Sequence, residues 1–147
     1  MSPPKLDLRT RAFQLLARRE YSRAELKKKL DPPAETAEQL DSLLDELIEQ
    51  GFLSDTRYSE SRVNIRSGRY GSRRIAQELR GKGVSKDVAE AATAQCAAND
   101  LPTARALWLR KFGALPSNKQ EKARQIRFLS ARGFSFDVIR RVLDEAG

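Results

Sequence analysis

One segment of the chain, residues 66–83, carries the side chains best suited to binding chemistry. Its sequence is RSGRYGSRRIAQELRGKG, in which six of the eighteen residues are Arg or Lys and one, Glu78, is acidic. Guanidinium and ammonium groups bind phosphate and carboxylate oxygens, so a nucleic acid or an acidic protein surface is the expected partner. The segment lacks the G-x-x-x-x-G-K-[ST] spacing of a phosphate-binding loop, and its glycines are better explained as helix ends.

The side chains that most catalytic and metal sites need are missing from the sequence. The 147 residues include no His and a single Cys, Cys96, so the chain has no imidazole base, no imidazole ligand and no internal disulfide. Residues 31–53 hold seven acidic and no basic side chains, and their spacing places them on the solvent-facing side of an amphipathic helix. The sequence therefore predicts a protein that is not an enzyme and needs neither cofactor nor metal.

The net charge and the hydropathy pattern narrow the class of protein further. The formal net charge is +8 and the isoelectric point is about 10.0, which favours a polyanionic partner and weak, salt-dependent affinity for DNA. No apolar run reaches the roughly 18 residues of a membrane span, and the N-terminus lacks an apolar signal core. We therefore expect a cytoplasmic protein without a membrane segment. We expect a monomer, because the apolar stripes are used internally.

Apolar residues recur at spacings of three and four along the whole chain, which predicts helices and no strands. Helix starts are predicted from a capping box at Ser22–Glu25 and from further capping residues, and helix ends from glycines and from Pro32-Pro33. These signals divide the chain into nine helices. The further predicted starts are Ser54, Gly71-Ser72, Ser85, Asp100, Ser117 and Ser135; the glycine ends are Gly51, Gly68, Gly81, Gly83, Gly113 and Gly133.

An offset of fifty residues aligns residues 73–88 with residues 123–138. Six of the sixteen positions are identical: an Arg, an inward Leu, a glycine helix end, a serine helix start, an acidic residue in the first turn of the next helix and an inward Val. Such self-similarity is typical of repeat architectures. We therefore predict an all-α fold of three tandem three-helix modules, residues 1–53, 54–98 and 99–147, that form an elongated, curved array. Tyr58 and Trp108 are predicted to lie in the core, and Tyr70, in a connection, is predicted to be exposed.

On the residues alone, the main alternative interpretation is that the middle module is a helix-turn-helix that binds DNA. Arg73 and Arg74 would stand at the start of the helix that enters the major groove of DNA. Gln77 is the one amide side chain of that helix, so the usual set of base-reading amides is missing. Phosphate contacts, which need only Lys and Arg, would still be available.

Three stretches of the sequence, in order along nearly the whole chain, resemble the RecX family of bacterial regulators of the RecA recombinase. They are LLARREYSRAELKKKL (15–30), LDELIEQGFLSDTRYSESRVNIRSGRYGSRRIAQELRGKGV (44–84) and RFLSARGFSFDVIRRVL (127–143). The most specific part is the middle one, with its L-x-x-x-G-[hydrophobic]-L-x-D segment, a tyrosine, and R-x-x-x-x-G-S/P-x-R-I-x-x-E-L-x-x-K-G. The chain departs from the family pattern at Pro32-Pro33, where many relatives have a glycine-containing turn.

The resemblance implies a small helical protein that binds the active RecA–DNA filament. It implies inhibition of RecA ATP hydrolysis, strand exchange and co-protease activity, and hence modulation of recombination, DNA repair and the SOS response. It implies no cofactor. From charge and position, the residues expected to contact the filament or its DNA are Arg66, Arg69, Tyr70, Arg73, Arg74, Arg80 and Lys82, with Arg124, Arg127 and Arg132 as their counterparts in the third module.

Overall fold

The computed structural model describes residues 7–30 and 37–145, and all regular secondary structure in these two ranges is helical. The predicted all-α class is confirmed. The Pro32-Pro33 connection, predicted to end a helix, lies outside the described residues. The helices are α1 (Leu8–Leu16), α2 (Arg23–Leu30), α3 (Ala37–Glu49), α4 (Asp55–Arg66), α5 (Ser72–Gly81), α6 (Lys86–Ala98), α7 (Asp100–Lys111), α8 (Lys119–Ala131) and α9 (Phe136–Glu145).

Most of the predicted helix starts are confirmed by side-chain caps. The hydroxyls of Ser54, Ser85 and Ser135 accept the amides of the residues three positions later, at 3.1, 3.2 and 3.2 Å. The prediction for α8 is wrong by one residue. Asn118, not Ser117, caps this helix through the Glu121 amide, because Ser117 instead donates its own amide and hydroxyl to the Glu121 carboxylate.

The buried apolar side chains form three separate clusters, and each cluster draws on three consecutive helices. We call α1–α3, α4–α6 and α7–α9 the first, second and third modules. Tyr58 anchors the second cluster and is 2 % exposed, and Trp108 lies in the third at 5 %, as predicted. The predicted module boundaries, between residues 53 and 54 and between residues 98 and 99, stay a prediction. Asn99, for example, is both the residue that ends α6 and the residue that precedes α7.

Each of the first two modules docks the start of its second helix against the next module. At the first junction, the Ser22 hydroxyl donates to the Lys82 carbonyl (2.7 Å) and the Arg23 amide donates to the Asp55 carboxylate (2.8 Å). At the second junction, the Gly71 amide donates to the carbonyl of Arg132 (2.6 Å) and the Ser72 amide to the carboxylate of Asp100 (3.0 Å). The acceptors occupy equivalent places in the two junctions. One is the carbonyl of Lys82 or Arg132, each of which directly precedes a glycine with positive φ. The other is the carboxylate of Asp55 or Asp100, each of which begins the first helix of the next module.

These contacts join the modules in chain order. Units that contact mainly their neighbours stack as a linear array of repeats. Across the described residues, no hydrogen bond or salt bridge joins the first module to the third. None of the described helices is long and apolar enough to cross a bilayer.

Candidate functional site

Three guanidinium groups surround the ring of Tyr70 at the second junction. The central carbons of Arg74, Arg132 and Arg66 lie 4.4, 5.2 and 5.4 Å from the ring centroid. Arg66 and Arg74 belong to the second module, whereas Arg132 comes from the third. The negative face of an aromatic ring attracts cations, by about 0.5–1 kcal/mol for each pair at an exposed site. The ring therefore gathers positive charge from two modules into one place.

The prediction that Tyr70 is exposed is wrong. The side chain is half-buried and packs against the apolar cluster of the second module. The physical reason is the cover that the neighbouring guanidinium groups provide, one of which arrives from a segment sixty-two positions further along the chain. A contact between Tyr70 and a partner stays a prediction.

Hydrogen bonds hold two of these arginines across the junction in opposite directions. Arg74 donates to the Ala131 carbonyl of the third module at 2.8 Å, and Arg132 donates to the Arg69 carbonyl of the second at 3.1 Å. A guanidinium has five donors, so each side chain keeps further N–H groups for a partner. The positions of both charges are thus fixed before anything binds.

Arg66 is held from within its own module by Glu78. The Glu78 carboxylate lies 2.8 Å from a terminal nitrogen of Arg62 and 3.3 Å from Nε of Arg66. Burial alone would raise the pKa of Glu78, but the hydrogen bonds and charges of the two arginines outweigh it and hold that pKa below its ordinary value. The carboxylate thus stays ionised and keeps Arg66 beside Tyr70.

The positive surface continues over the third module around two phenylalanines. Phe112 and Phe128 meet edge to face, with ring centroids 5.4 Å apart. Arg132 lies 5.3 Å and Lys111 5.7 Å from the Phe128 ring, and Arg124 lies 5.8 Å from the Phe112 ring. Lys111, Arg124 and Arg127 line, with both rings, a groove of about 630 Å³. A single chain of ring and cation contacts therefore runs from Arg66 to Arg124.

A second groove, of about 500 Å³, lies along the junction itself, where Arg73, Arg74 and Gln77 face residues 130–134. Arg73 is exposed, and its side chain makes no hydrogen bond or salt bridge in the described part of the chain. We use the name basic strip for the surface that joins both grooves. Its residues are Arg66, Tyr70, Arg73, Arg74, Lys111, Phe112, Arg124, Arg127, Phe128 and Arg132.

The structure brings together seven of the ten predicted residues in the basic strip. Arg69 lies beside it, exposed, with its carbonyl bonded to Arg132. Arg80 and Lys82 do not belong to it. They sit near the other end of α5, about 10 Å of helix rise from Arg73, where the Lys82 carbonyl takes part in the first junction.

Sequence reasoning missed Lys111, Phe112 and Phe128. Lys111 is the last residue of α7 and Phe112 is its C-cap, and no local sequence pattern shows that they face α8. For Phe128 a signal exists: Arg124, Phe128 and Arg132 are spaced four apart, which places them on one face of a helix. The described residues contain no cluster of three potential metal ligands.

Comparisons with known proteins agree with this architecture. A family model described as "RecX, second three-helix domain" matches residues 54–92, and one described as "RecX, third three-helix domain" matches residues 99–143. The Regulatory protein RecX of Leptothrix cholodnii is 47 % identical over 140 residues, which cover 95 % of this chain and 89 % of the relative. The corresponding protein of Chromobacterium violaceum is 47 % identical over 137 residues, or 92 % and 88 % of the two chains.

The chain belongs to the RecX family. Its fold is similar to the crystal structure of RecX from Lactobacillus salivarius, with a TM-score of 0.79 over 94 % of this chain and 93 % of that one, at 20 % identity. RecX proteins are named as regulatory proteins, and no catalytic activity is indicated for them. The two matched RecX domains are the two modules that form the basic strip.

Proposed function

We propose that this RecX protein binds the RecA–DNA filament through the basic strip and inhibits RecA ATP hydrolysis, strand exchange and co-protease activity. The observation that carries the proposal is the continuous basic strip across the two modules that match the family models. The choice of RecA as partner follows from the resemblance to the family. We place this activity in the cytoplasm, with a monomer as the acting unit and without a cofactor.

The physical properties of the strip suit a polymeric, negatively charged partner. A surface that spans two modules reaches more than one site of a repeating partner, and several weak contacts on one rigid body combine through effective concentration. The net charge of +8 speeds the encounter with DNA or with acidic protein surfaces. The side chains fixed at the second junction lose little conformational freedom on binding, which favours affinity.

A direct DNA-binding protein is the second candidate, and the structure argues against its helix-turn-helix form. A recognition helix presents its N-terminal residues to base edges in the major groove. In this protein the N-terminus of α5 is turned into the second junction, where Gly71 and Ser72 are buried. Weak phosphate binding by the basic strip remains part of the proposal.

The ATPase rate of RecA on single-stranded DNA, titrated with this protein at near-physiological salt, tests the proposal. Affinity for free DNA is measured alongside. We expect inhibition well below one protein per RecA, with weak binding to free DNA. Inhibition that begins only when the DNA itself is saturated would instead show competition for DNA and support the second candidate.

A charge-reversal pair locates the binding surface. Arg69→Glu with Arg73→Glu changes two exposed side chains that make no intramolecular polar contact in the described residues. We expect the half-inhibitory concentration to rise more than about tenfold, with unchanged helicity and thermal unfolding. Arg80→Glu with Lys82→Glu is the matched control, because it removes the same four units of charge at the other end of α5, away from the basic strip and from Arg69 beside it. Equal losses in the two variants would mean that net charge, not the strip, governs inhibition.

A further inference from the structure

The first helix amides of α5 depend on the third module for their hydrogen-bond acceptors. The first amides of any helix have no partner within the helix and need a cap. The residue before α5 is Gly71, which has no side chain to provide one. The amides of Gly71, Ser72 and Arg73 instead donate to the Arg132 carbonyl, the Asp100 carboxylate and the Gly133 carbonyl, at 2.6, 3.0 and 3.3 Å.

Asp100 is the one charged acceptor in this set. Its side chain is buried, at 6 % exposure, and its second oxygen accepts the Ser72 hydroxyl at 2.5 Å. Hydrogen bonds to an ionised acceptor are about twice as strong as those between neutral groups. The residue also begins α7, where a negative charge is favourable beside the helix N-terminus. One carboxylate therefore stabilises the starts of two helices from different modules.

We infer that Asp100 caps α5 across the second junction and thereby positions Arg73 and Arg74 of the basic strip. The two arginines directly follow the capped residue, Ser72. If the first turn of α5 opens, both side chains leave the junction groove, and Arg74 loses its bond to the Ala131 carbonyl. Asp100 is thus a positioning residue. Its role in inhibition rests on the proposed function, whereas the cap itself does not.

Amide hydrogen exchange of the free protein tests the cap without RecA. In Asp100→Ala, we expect the Ser72 amide to exchange roughly 10- to 100-fold faster, since a hydrogen bond to a charged group is lost. The Arg73 and Arg74 amides should follow, while amides within α2 and α8 keep their rates. Asp100→Asn retains an acceptor and should give an intermediate result, which also covers the case in which the alanine variant does not fold. Unchanged exchange at Ser72 in both variants would overturn the inference.

The first junction supplies a matched control. Asp55 occupies the place of Asp100 there and accepts the Arg23 amide, but no residue of the basic strip follows Arg23. In Asp55→Ala we expect faster exchange at Arg23 and less than about a twofold change in the half-inhibitory concentration for RecA ATPase. In Asp100→Ala we expect that concentration to rise about tenfold, as for the loss of one charged hydrogen bond. Equal losses in the two variants would assign both aspartates a merely structural role and overturn the positioning role.

A double-mutant cycle separates positioning from general stability. If Asp100 acts through Arg73 and Arg74, then Asp100→Ala causes no further loss of inhibition once both arginines are replaced by Ala. A full additional loss in that background would overturn the positioning role. If the wild-type protein does not inhibit RecA, the proposed function fails, and hydrogen exchange at the Ser72 amide alone tests the cap. Loss of protection at Ser72 in Asp100→Ala would then support the cap by Asp100. Retained protection would overturn it.

Discussion

The helices α2 and α5 occupy the same place in their modules but begin in different ways. At α2 the Ser22 hydroxyl accepts the Glu25 amide and the Glu25 carboxylate accepts the Ser22 amide, so the helix is largely capped by its own residues. At α5 the capping residue is Gly71, and the acceptors come from the next module. The start of the second helix is thus capped mainly within the first module, whereas in the second module it is capped by residues of the third.

The difference follows from how closely the modules approach. A Cβ at Gly71 would overlap the Gly133 carbonyl oxygen and lie 2.7 Å from its carbon. Only glycine fits there, and glycine brings no capping side chain. At the first junction the corresponding space holds Ser22, whose hydroxyl reaches the Lys82 carbonyl. A tighter junction therefore removes a local cap, and the neighbouring module replaces it.

Gly133→Ala is expected to break the second junction and to have the largest effect. Gly133 has φ +98, and a Cβ there would overlap that of Arg74 and lie 2.7 Å from the Arg74 amide nitrogen. Left-handed backbone strain and overpacking together predict a loss of about 2–5 kcal/mol in the free energy of unfolding, measured by urea denaturation. Gly51→Ala, at φ +83 with open space around it, is the control and should cost about 1–2 kcal/mol. Equal losses would mean that the junction does not contribute.

Glu78→Gln should lower the free energy of unfolding by a smaller amount, and this loss should depend on pH. The change removes the charge that Arg62 and Arg66 share, with an expected loss of about 1–2 kcal/mol at pH 7. The pKa of Glu78 is lowered in the folded protein, so its contribution is complete above the unfolded-state pKa. It disappears as the pH falls through the folded-state pKa. Urea unfolding at pH 7 and pH 3 should therefore show a smaller wild-type advantage at pH 3 than at pH 7; an equal advantage at both would contradict the ionic role.

At the start of α2, removal of the local capping hydroxyl should matter more than removal of the charge on Asp55, the acceptor from the next module. Ser22→Ala deletes the capping hydroxyl and its bond to the Lys82 carbonyl, with an expected loss of about 1 kcal/mol. Asp55→Asn keeps an acceptor for the Arg23 amide and should lose less. Thermal unfolding of the two variants measures the order. The reverse order would show that α2 depends on its neighbour as α5 does.

The smallest effect is expected for Tyr70→Phe. The ring that Arg66, Arg74 and Arg132 surround is retained, and the hydroxyl makes no hydrogen bond in the described residues. Stability should change by less than about 0.5 kcal/mol, and RecA inhibition should stay at the wild-type level. Tyr70→Leu keeps the apolar contact but removes the ring face, and we expect it to weaken inhibition. A strong loss in the phenylalanine variant would mean that the hydroxyl itself contacts the partner.

Local signals made the helices predictable. The serine caps and left-handed glycines act over three or four residues, so a single sequence reveals them. Ser117 was misassigned because two neighbouring residues both favour a cap, and the choice depends on where the Glu121 carboxylate points. The repeat was predictable from the offset of fifty between the second and third modules. A further offset of forty-nine, which pairs Tyr21 with Tyr70 and Leu26 with Ile75, extends it to the first.

The junctions were not predictable in the same way. Their hydrogen bonds join residues that lie 28 to 63 positions apart. Four of the donors, at Arg23, Gly71, Ser72 and Arg73, are backbone amides, which every sequence contains. The arginines of the basic strip stood out by charge, but only the fold shows that Arg132 meets Tyr70 while Lys82 belongs to the other junction. Positive residues thus mark a binding protein, and packing decides which of them share a surface.

The dependence of α5 on the third module sets an order of events during synthesis on the ribosome. The acceptor carbonyls of Arg132 and Gly133 are made about 60 residues after the amides that they bind, an interval of roughly 3–12 s at ordinary rates of translation. A helix of ten residues is marginal in water without its packing partners. The first module can thus close early on the nascent chain, whereas α5 stays incompletely capped until the last module has been synthesised.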